Sequence, residues 1–116
     1  MKLKIDFTAQ NGISEELEKY IIEAVCKSST YLLCAEGSRE ATSTKHYHLH
    51  AYVDTPYKRI YDYRKRVLKP AYEKAGVPCG KRAVCIKEIT DLQGALSYIY
   101  KEKRVVCSSG VMLDRS

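Results

Sequence analysis

Two strand-like segments that follow one another without a helix between them constrain the fold of this chain most. The segment "TYLLCAE" (residues 30–36) is mostly apolar, and "KHYHLHAYVD" (residues 45–54) carries a histidine at every second position from 46 to 50. The residues between the two, "GSREATST", are polar and show no periodicity. Two strands in immediate succession predict an antiparallel hairpin.

The rest of the chain supplies helices and further strands around this hairpin. "KLKIDFT" alternates with period two and predicts a strand at residues 2–8. Ser14 is expected to cap a helix that ends near Ser28. The remaining expected elements are a helix with Pro56 near its first turn, a short helix from Pro70, a strand "RAVCIKEI", a helix "TDLQGALSYIYKEK" capped by Thr90 or Asp91, and a strand "RVVCS".

This order of elements predicts the α+β class, because the strands neighbour one another and the helices lie beside them. We expect one domain over residues 1–116, with a central, mostly antiparallel sheet of about five strands flanked by helices. No apolar run reaches the roughly 18–20 residues of a membrane span, so no membrane association is expected. The start "MKLKIDFTAQ" lacks a signal-peptide core, which predicts that the protein stays where it is made.

The charge and the cysteine content narrow the function classes. Twenty basic residues against 14 acidic ones give a net charge of +6. Seven of the basic residues lie between Lys58 and Lys74, a cluster that suits nucleic acid but is also typical of a solvated helix face. Ten tyrosines offer rings for stacking on bases. Five cysteines without a CxxC pair disfavour structural zinc, and we expect most of them to be reduced.

The three histidines of the chain share one face of the predicted third strand. Side chains alternate along a strand, so His46, His48 and His50 point one way. Imidazoles two residues apart can share a metal ion, and Glu36 would lie beside them because it ends the preceding strand. Two imidazoles and a carboxylate suit Mn²⁺ or Mg²⁺ with open coordination positions. The plain alternative is a polar strand facing solvent that happens to use histidine.

A tyrosine and a lysine share a face of the predicted last helix. Tyr98 and Lys101 are three residues apart, so they neighbour one another on a helix, and Tyr100 with Lys103 repeats the spacing. An ammonium beside a phenol favours the phenolate and offsets negative charge on a reacting phosphate. The plain alternative is a solvated amphipathic helix.

These segments together resemble the HUH endonuclease (Rep) family, the rolling-circle replication initiators of single-stranded DNA viruses, archaeal viruses and plasmids. "FTAQN" (residues 7–11) is similar to the first family motif, "HLHAYV" to the second and "SYIYKE" to the third. "YLLCAEG" resembles the family segment that ends in a metal-binding glutamate before glycine. The likeness covers roughly residues 3–106, and each motif is loose while their order is more specific.

The resemblance implies a role for each matching residue. His48 and His50 would bind Mg²⁺ or Mn²⁺ with Glu36 as a third ligand, Tyr98 would be the nucleophile, and Lys101 would position or charge-balance the site. The overlapping "HYH" leaves open that His46 replaces one ligand, and Tyr100 is left open as a participant in a second transfer. Binding to the DNA backbone would fall to basic residues on the surface: Lys58, Arg59, Arg64, Lys65 and Arg82.

The implied activity is a metal-dependent nickase that cuts and rejoins single-stranded DNA at a replication origin. It would form a 5′-phosphotyrosine and free a 3′-OH for a polymerase. The helicase domain of many viral members is not expected here, so a separate helicase would unwind the duplex. We expect action in the cytoplasm of the cell or virus host, and the chain could act as a homodimer. Three rival hypotheses remain: a non-catalytic module that binds single-stranded nucleic acid, a single-tyrosine HUH transposase, and a plain metal-binding or structural viral protein.

Overall fold

The computed structural model describes residues 1–37, 47–102 and 104–109, and for residues 98–102 it describes the helical backbone alone. The elements run in chain order as β1 (Lys2–Phe7), α1 (Glu15–Ser28), β2 (Thr30–Glu36), β3 (His48–Asp54), α2 (Ile60–Tyr63), a π-helical turn (Arg64–Leu68), α3 (Lys69–Ala75), β4 (Val84–Glu88), α4 (Leu92–Glu102) and β5 (Arg104–Ser108).

The strands form one five-stranded antiparallel sheet in the order β4-β1-β3-β2-β5. The predicted hairpin of β2 and β3 is present, with Glu36 opposite His48. The first strand completes the centre of the sheet, because β1 pairs with β3 on one side and with β4 on the other. The predicted α+β class and the antiparallel sheet with flanking helices are confirmed.

One face of the sheet carries the main core. Leu3, Ile5 and Phe7 of β1 are fully buried there, against helix α1 and the helical segment 60–75. Helix α1 begins as its sequence predicts, since the Ser14 hydroxyl accepts a hydrogen bond from the backbone N–H of Leu17 at 3.1 Å. The helix buries Leu17, Ile21 and Val25 at the spacing of one helical face and ends at Ser28.

After β3 the sequence prediction is wrong at Pro56, whereas at Pro70 it holds to within one residue. The helix does not begin near Pro56, because the Thr55 hydroxyl accepts from the backbone N–H of Tyr57 at 3.3 Å and turns the chain first. The short helix predicted from Pro70 is present as α3, which begins one residue earlier, at Lys69, with Pro70 in its first turn. The π-helical turn precedes it, and the N–H of Lys69 bonds to the carbonyl of Arg64. This wider turn admits a residue that has no N–H and lets the helix continue into α3.

The other face of the sheet is covered by α4. Leu92 and Leu96 of that helix pack on Leu32, Cys34 and Tyr52 in a second, smaller core. The histidines of β3 lie on this same face, because His50 and Tyr52 are two residues apart on one strand.

All five cysteines are unbonded to one another in the structure. Cys34 is buried, Cys79 and Cys107 are partly buried, and Cys26 and Cys85 are exposed. Among the helices in the described ranges, none has the length and apolar character that crossing a bilayer requires.

Candidate active site

The histidine face of β3 is flanked by one acidic residue from each neighbouring strand. Asp6 of β1 pairs with His50, and Glu36 of β2 pairs with His48. Residues that pair across a sheet point to the same face, so two imidazoles and two carboxylates share a small area. The expectation that the hairpin would bring Glu36 beside the histidines is therefore confirmed.

The ring of His50 lies between the two carboxylates. Its Nδ1 is 2.7 Å from Asp6 Oδ1, and its Nε2 is 3.5 Å from Glu36 Oε2. An ionised carboxylate can only accept, so the short contact places a proton on Nδ1 and has it donate to Asp6. In the neutral ring Nε2 then carries a lone pair that faces Glu36. A positive charge between them would satisfy both groups, and either a proton or a metal ion supplies it.

Two ring nitrogens on this face are buried without a hydrogen-bond partner in the described part of the chain: His48 Nδ1 and His50 Nε2. Leaving a buried polar atom unpaired costs about 1–3 kcal/mol, which makes such atoms candidates for a ligand. Imidazole nitrogens beside a carboxylate fit a divalent cation. Within the described ranges, however, no three His, Cys, Asp or Glu side chains are gathered closely enough to hold an ion. Binding of an ion would therefore require these side chains to come closer together than they are in the structure.

Asp6 is the residue of this site that the sequence interpretation missed. Metal-binding histidines commonly donate their second ring N–H to a carboxylate, which fixes the ring and makes the ligating nitrogen more basic. Asp6 stands in that relation to His50, whose side chain is only 12% exposed. The signal was present in "KLKIDFT", because the alternation that buries Ile5 and Phe7 puts Asp6 on the opposite face.

Tyr98 and Lys101 lie in the helix that was predicted for them, but their side chains are outside what the structure describes. The backbone path still constrains the site. Helix α4 packs on the histidine face and leads into Arg104, which pairs with Ala35, the neighbour of Glu36. Its C-terminal turn therefore lies toward the end of the sheet where Glu36 and His48 are paired. His46 and Lys103 lie outside the described residues.

The segment "FTAQN" forms a loop at the same end of the sheet. Phe7 is buried, and the backbone N–H of Ile13 donates to the carbonyl of Tyr47 at 3.0 Å, just before His48. Gly12 has a positive φ of 82°, which closes the turn that begins at Ala9. A cleft of about 690 Å³ lies between residues 9–15 and residues 76–78. This groove borders the end of the strand that carries the histidines.

The five basic residues predicted to bind DNA lie in three parts of the fold: the connection after β3, the helical segment 60–75 and the turn before β4. Lys58 and Arg59 follow the C-terminal end of β3, whereas His48 begins that strand. Arg64 donates to the carbonyl of Val84 at 2.7 Å and so anchors the helical segment to β4. Lys65 is exposed, with its ammonium 5.8 Å from the ring of Tyr61. Arg82 is exposed beside Thr8, whose hydroxyl bonds to its carbonyl, and is the member of the set nearest the first motif.

Comparisons with known proteins identify no relative: no family model, curated protein or solved structure matches the chain.

Proposed function

We propose that this protein is a metal-dependent nickase of the HUH replication-initiator type, acting on single-stranded DNA at a replication origin. The observation that carries the proposal is the pair of buried ring nitrogens, His48 Nδ1 and His50 Nε2, which lie beside Glu36 and make no hydrogen bond within the described residues. A second support is the packing of α4, which carries Tyr98 and Lys101 in its sequence, on that same face of the sheet. The resemblance of the three motifs to the HUH family supplies the reaction class.

His48, His50 and Glu36 would hold the Mg²⁺ or Mn²⁺ ion. When bound, the ion would polarise the scissile phosphate and offset its charge. Asp6 keeps the His50 ring oriented and holds the proton on Nδ1, so that Nε2 stays free for the ion. Glu36 is 56% exposed at its side chain, which leaves it room to swing from His50 toward a ligand.

Tyr98 would provide the nucleophile. Its hydroxyl loses a proton as the oxygen bonds to phosphorus, and the bond from phosphorus to the 3′ oxygen breaks. The departing oxygen takes up a proton and becomes a 3′-OH that a polymerase extends. The 5′-phosphotyrosine keeps the phosphoryl group activated, so the same residue can rejoin the ends. Lys101 would offset the negative charge that builds up on the phosphate.

The proposed reaction also implies partner proteins and a cellular compartment. Unwinding and extension would be the work of a separate helicase and polymerase, in the cytoplasm of the cell or of the virus host. A homodimer would bring two such sites to one origin. Arg82, beside the first motif, is the basic residue best placed to contact the strand that enters this site.

Binding without cleavage is the competing function. It is favoured by the lack of a closed set of three metal ligands among the residues with described side chains. A binding module of this kind would use tyrosines for stacking and would respond to salt but not to metal.

A denaturing gel separates the two functions. The wild type, Tyr98→Phe and Tyr100→Phe are mixed with origin DNA strands, with Mn²⁺ or with EDTA. We expect the wild type and Tyr100→Phe to form a protein–DNA adduct that requires Mn²⁺. Tyr98→Phe should form none, because phenylalanine lacks the attacking oxygen. His48→Ala and His50→Ala should lose the adduct as well. Tight binding by the wild type without any adduct would refute the nickase and support the binding module.

A further inference from the structure

A basic cleft lies on the face of the sheet opposite the histidines. Helix α1 and the helical segment 60–75, which cover that face, leave an opening of about 430 Å³ between them. This volume falls in the range of about 300–1,000 Å³ found for small-molecule sites. Ala24 and Lys27 line it from α1, Arg66 and Lys74 line it from the other segment, and Tyr57 lines it from the connection after β3.

Positive charge is concentrated at this cleft. Lys27, Arg66 and Lys74 are exposed, and none of them makes a salt bridge within the part of the chain that the structure describes. Glu23 is the acidic residue in the lining. Three cations that converge on a concave surface with one carboxylate nearby raise the local concentration of an anionic ligand.

Two partly exposed tyrosine rings line the same cleft. The ammonium groups of Lys19 and Lys74 are each 5.9 Å from the centroid of the Tyr20 ring. The Tyr57 ring meets Tyr63 edge to face, with centroids 5.4 Å apart, and this contact holds it in place. Rings beside cations are the combination that binds a nucleotide, because the base stacks while the phosphate meets the charge.

We propose that this cleft binds a segment of single-stranded nucleic acid, with phosphates at Lys27, Arg66 and Lys74 and a base against Tyr20. An acidic peptide would match the charge but would leave the two rings unused. The cleft goes beyond the proposed nicking reaction and does not depend on it, because the sheet separates the two sites. A single DNA strand that bound the cleft and the histidine site at once would have to pass around an edge of the β-sheet.

Nuclear magnetic resonance of the labelled full chain in EDTA locates the ligand directly. An oligothymidylate, thymidine monophosphate and polyglutamate are titrated separately. We expect the oligothymidylate to shift the backbone amides of Tyr20, Lys27 and Val67, and to do so at lower concentration than the mononucleotide. Equal potency of the mononucleotide would overturn the proposal in favour of a nucleotide pocket. Stronger shifts with polyglutamate, or none at these amides with DNA, would overturn it as well.

Charge reversal supplies the matched variants. Arg66→Glu removes a cation from the cleft, and Lys69→Glu makes the same change of charge at an exposed residue of the same segment that does not line it. In EDTA, Arg66→Glu should weaken oligothymidylate binding and lower the slope of log affinity against log salt by about 0.7, because one phosphate contact to a single strand is lost. Lys69→Glu should keep the wild-type slope. An equal effect of both reversals would mean diffuse charge attraction and would refute the cleft.

His50→Ala distinguishes this proposal from the nickase. The variant should lose the covalent adduct but keep the amide shifts at Tyr20 and Val67. Loss of those shifts in a folded His50→Ala protein would show that the two sites are one and would refute an independent cleft.

Discussion

The His50 ring is the most constrained side chain of the candidate site. Asp6 holds one nitrogen at 2.7 Å, Glu36 lies 3.5 Å from the other, and the side chain is only 12% exposed. A histidine held in this way has one tautomer and one orientation. A metal ion that binds Nε2 would therefore meet a ligand that needs no further ordering, which favours affinity.

The first prediction concerns Asp6, which acts through His50. Asp6→Asn should weaken Mn²⁺ binding about 10- to 100-fold, because an amide supports the ring less strongly than a carboxylate does. Calorimetric titration of the protein with Mn²⁺ measures the affinity directly. Asp54→Asn is a suitable control, since Asp54 lies at the other end of the histidine strand. Unchanged affinity in Asp6→Asn would leave that carboxylate without a role at the metal.

Helix α4 begins with an N-cap hydrogen bond to Asp91, and this bond leaves no room for a side chain at the third residue of the helix, Gly94. The backbone N–H of Gly94 donates to Asp91 Oδ1 at 3.0 Å, and a Cβ at position 94 would overlap the Asp91 carboxylate. Asp91 was one of the two caps that the sequence predicted. Glycine at this position therefore serves the cap, although it weakens the helix in other respects.

The second prediction compares the loss of the Asp91 cap with the gain in helix propensity when Gly94 is replaced, both measured as changes in the free energy of unfolding. Asp91→Ala should lower the free energy of unfolding by about 1 kcal/mol through loss of the cap. Gly94→Ala should change it little, because about 1 kcal/mol of helix propensity gained offsets the displaced cap. In the double variant the propensity gain should recover most of the loss caused by Asp91→Ala. Urea unfolding followed by circular dichroism measures all three, and a gain of 1 kcal/mol in Gly94→Ala alone would refute the competition.

The elements that the sequence predicted well are those whose signals are local. Ser14 and Asp91 identify helix starts because each cap bonds within three residues, and the alternation around Ile5 identifies a strand. Pro70 identifies the start of α3 to within one residue, but no helix begins near Pro56, because the Thr55 hydroxyl turns the chain there first.

The candidate site was predictable only where two strands are consecutive in sequence. Glu36 and His48 end and begin the strands of one hairpin, so their proximity follows from the sequence. Asp6 reaches His50 across 44 residues, through a pairing of β1 with β3 that no local signal specifies. The basic cleft likewise depends on how α1 packs against the segment 60–75, which the charge pattern alone does not reveal.

Across the whole molecule, the buried tyrosine hydroxyls connect the helical layer to the rest of the fold. Tyr72 donates toward the carbonyls of Thr8 and Ala83, at 2.8 and 3.1 Å. The Tyr63 hydroxyl contacts the hydroxyls of Ser28 and Ser29, each at 3.3 Å. Burial raises the pKa of both tyrosines above the usual value of 10.0.

The third prediction is a loss of stability in alkali. Above about pH 10 the unfolded chain releases these phenolic protons while the folded chain retains them, so the free energy of unfolding falls as pH rises. Each tyrosine contributes up to about 1.4 kcal/mol per pH unit until its raised folded-state pKa is reached. Below pH 10 both states keep the protons, and this contribution is constant. Urea unfolding over a pH series measures the decline.

Single replacements show which tyrosines cause the fall in the free energy of unfolding at alkaline pH. Tyr72→Phe should cost about 1 kcal/mol near neutral pH through its lost hydrogen bonds, but its decline above pH 10 should be shallower than that of the wild type. Tyr61→Phe is the control, because that side chain is 64% exposed. A decline equally steep in Tyr72→Phe and the wild type would mean that other groups cause it.

The position of β1 in the sheet has a consequence for how the chain folds during synthesis. This strand is synthesised before the other four, yet Leu3 pairs with Val53 and Glu88, which come much later in the chain. At about 5–20 residues per second, several seconds pass between the synthesis of β1 and that of β3, the first strand that pairs with it. The hairpin of β2 and β3 can form early, whereas closing the centre of the sheet requires contacts distant in sequence and is correspondingly slow. We therefore expect the nascent chain to depend on chaperone protection until β4 has emerged.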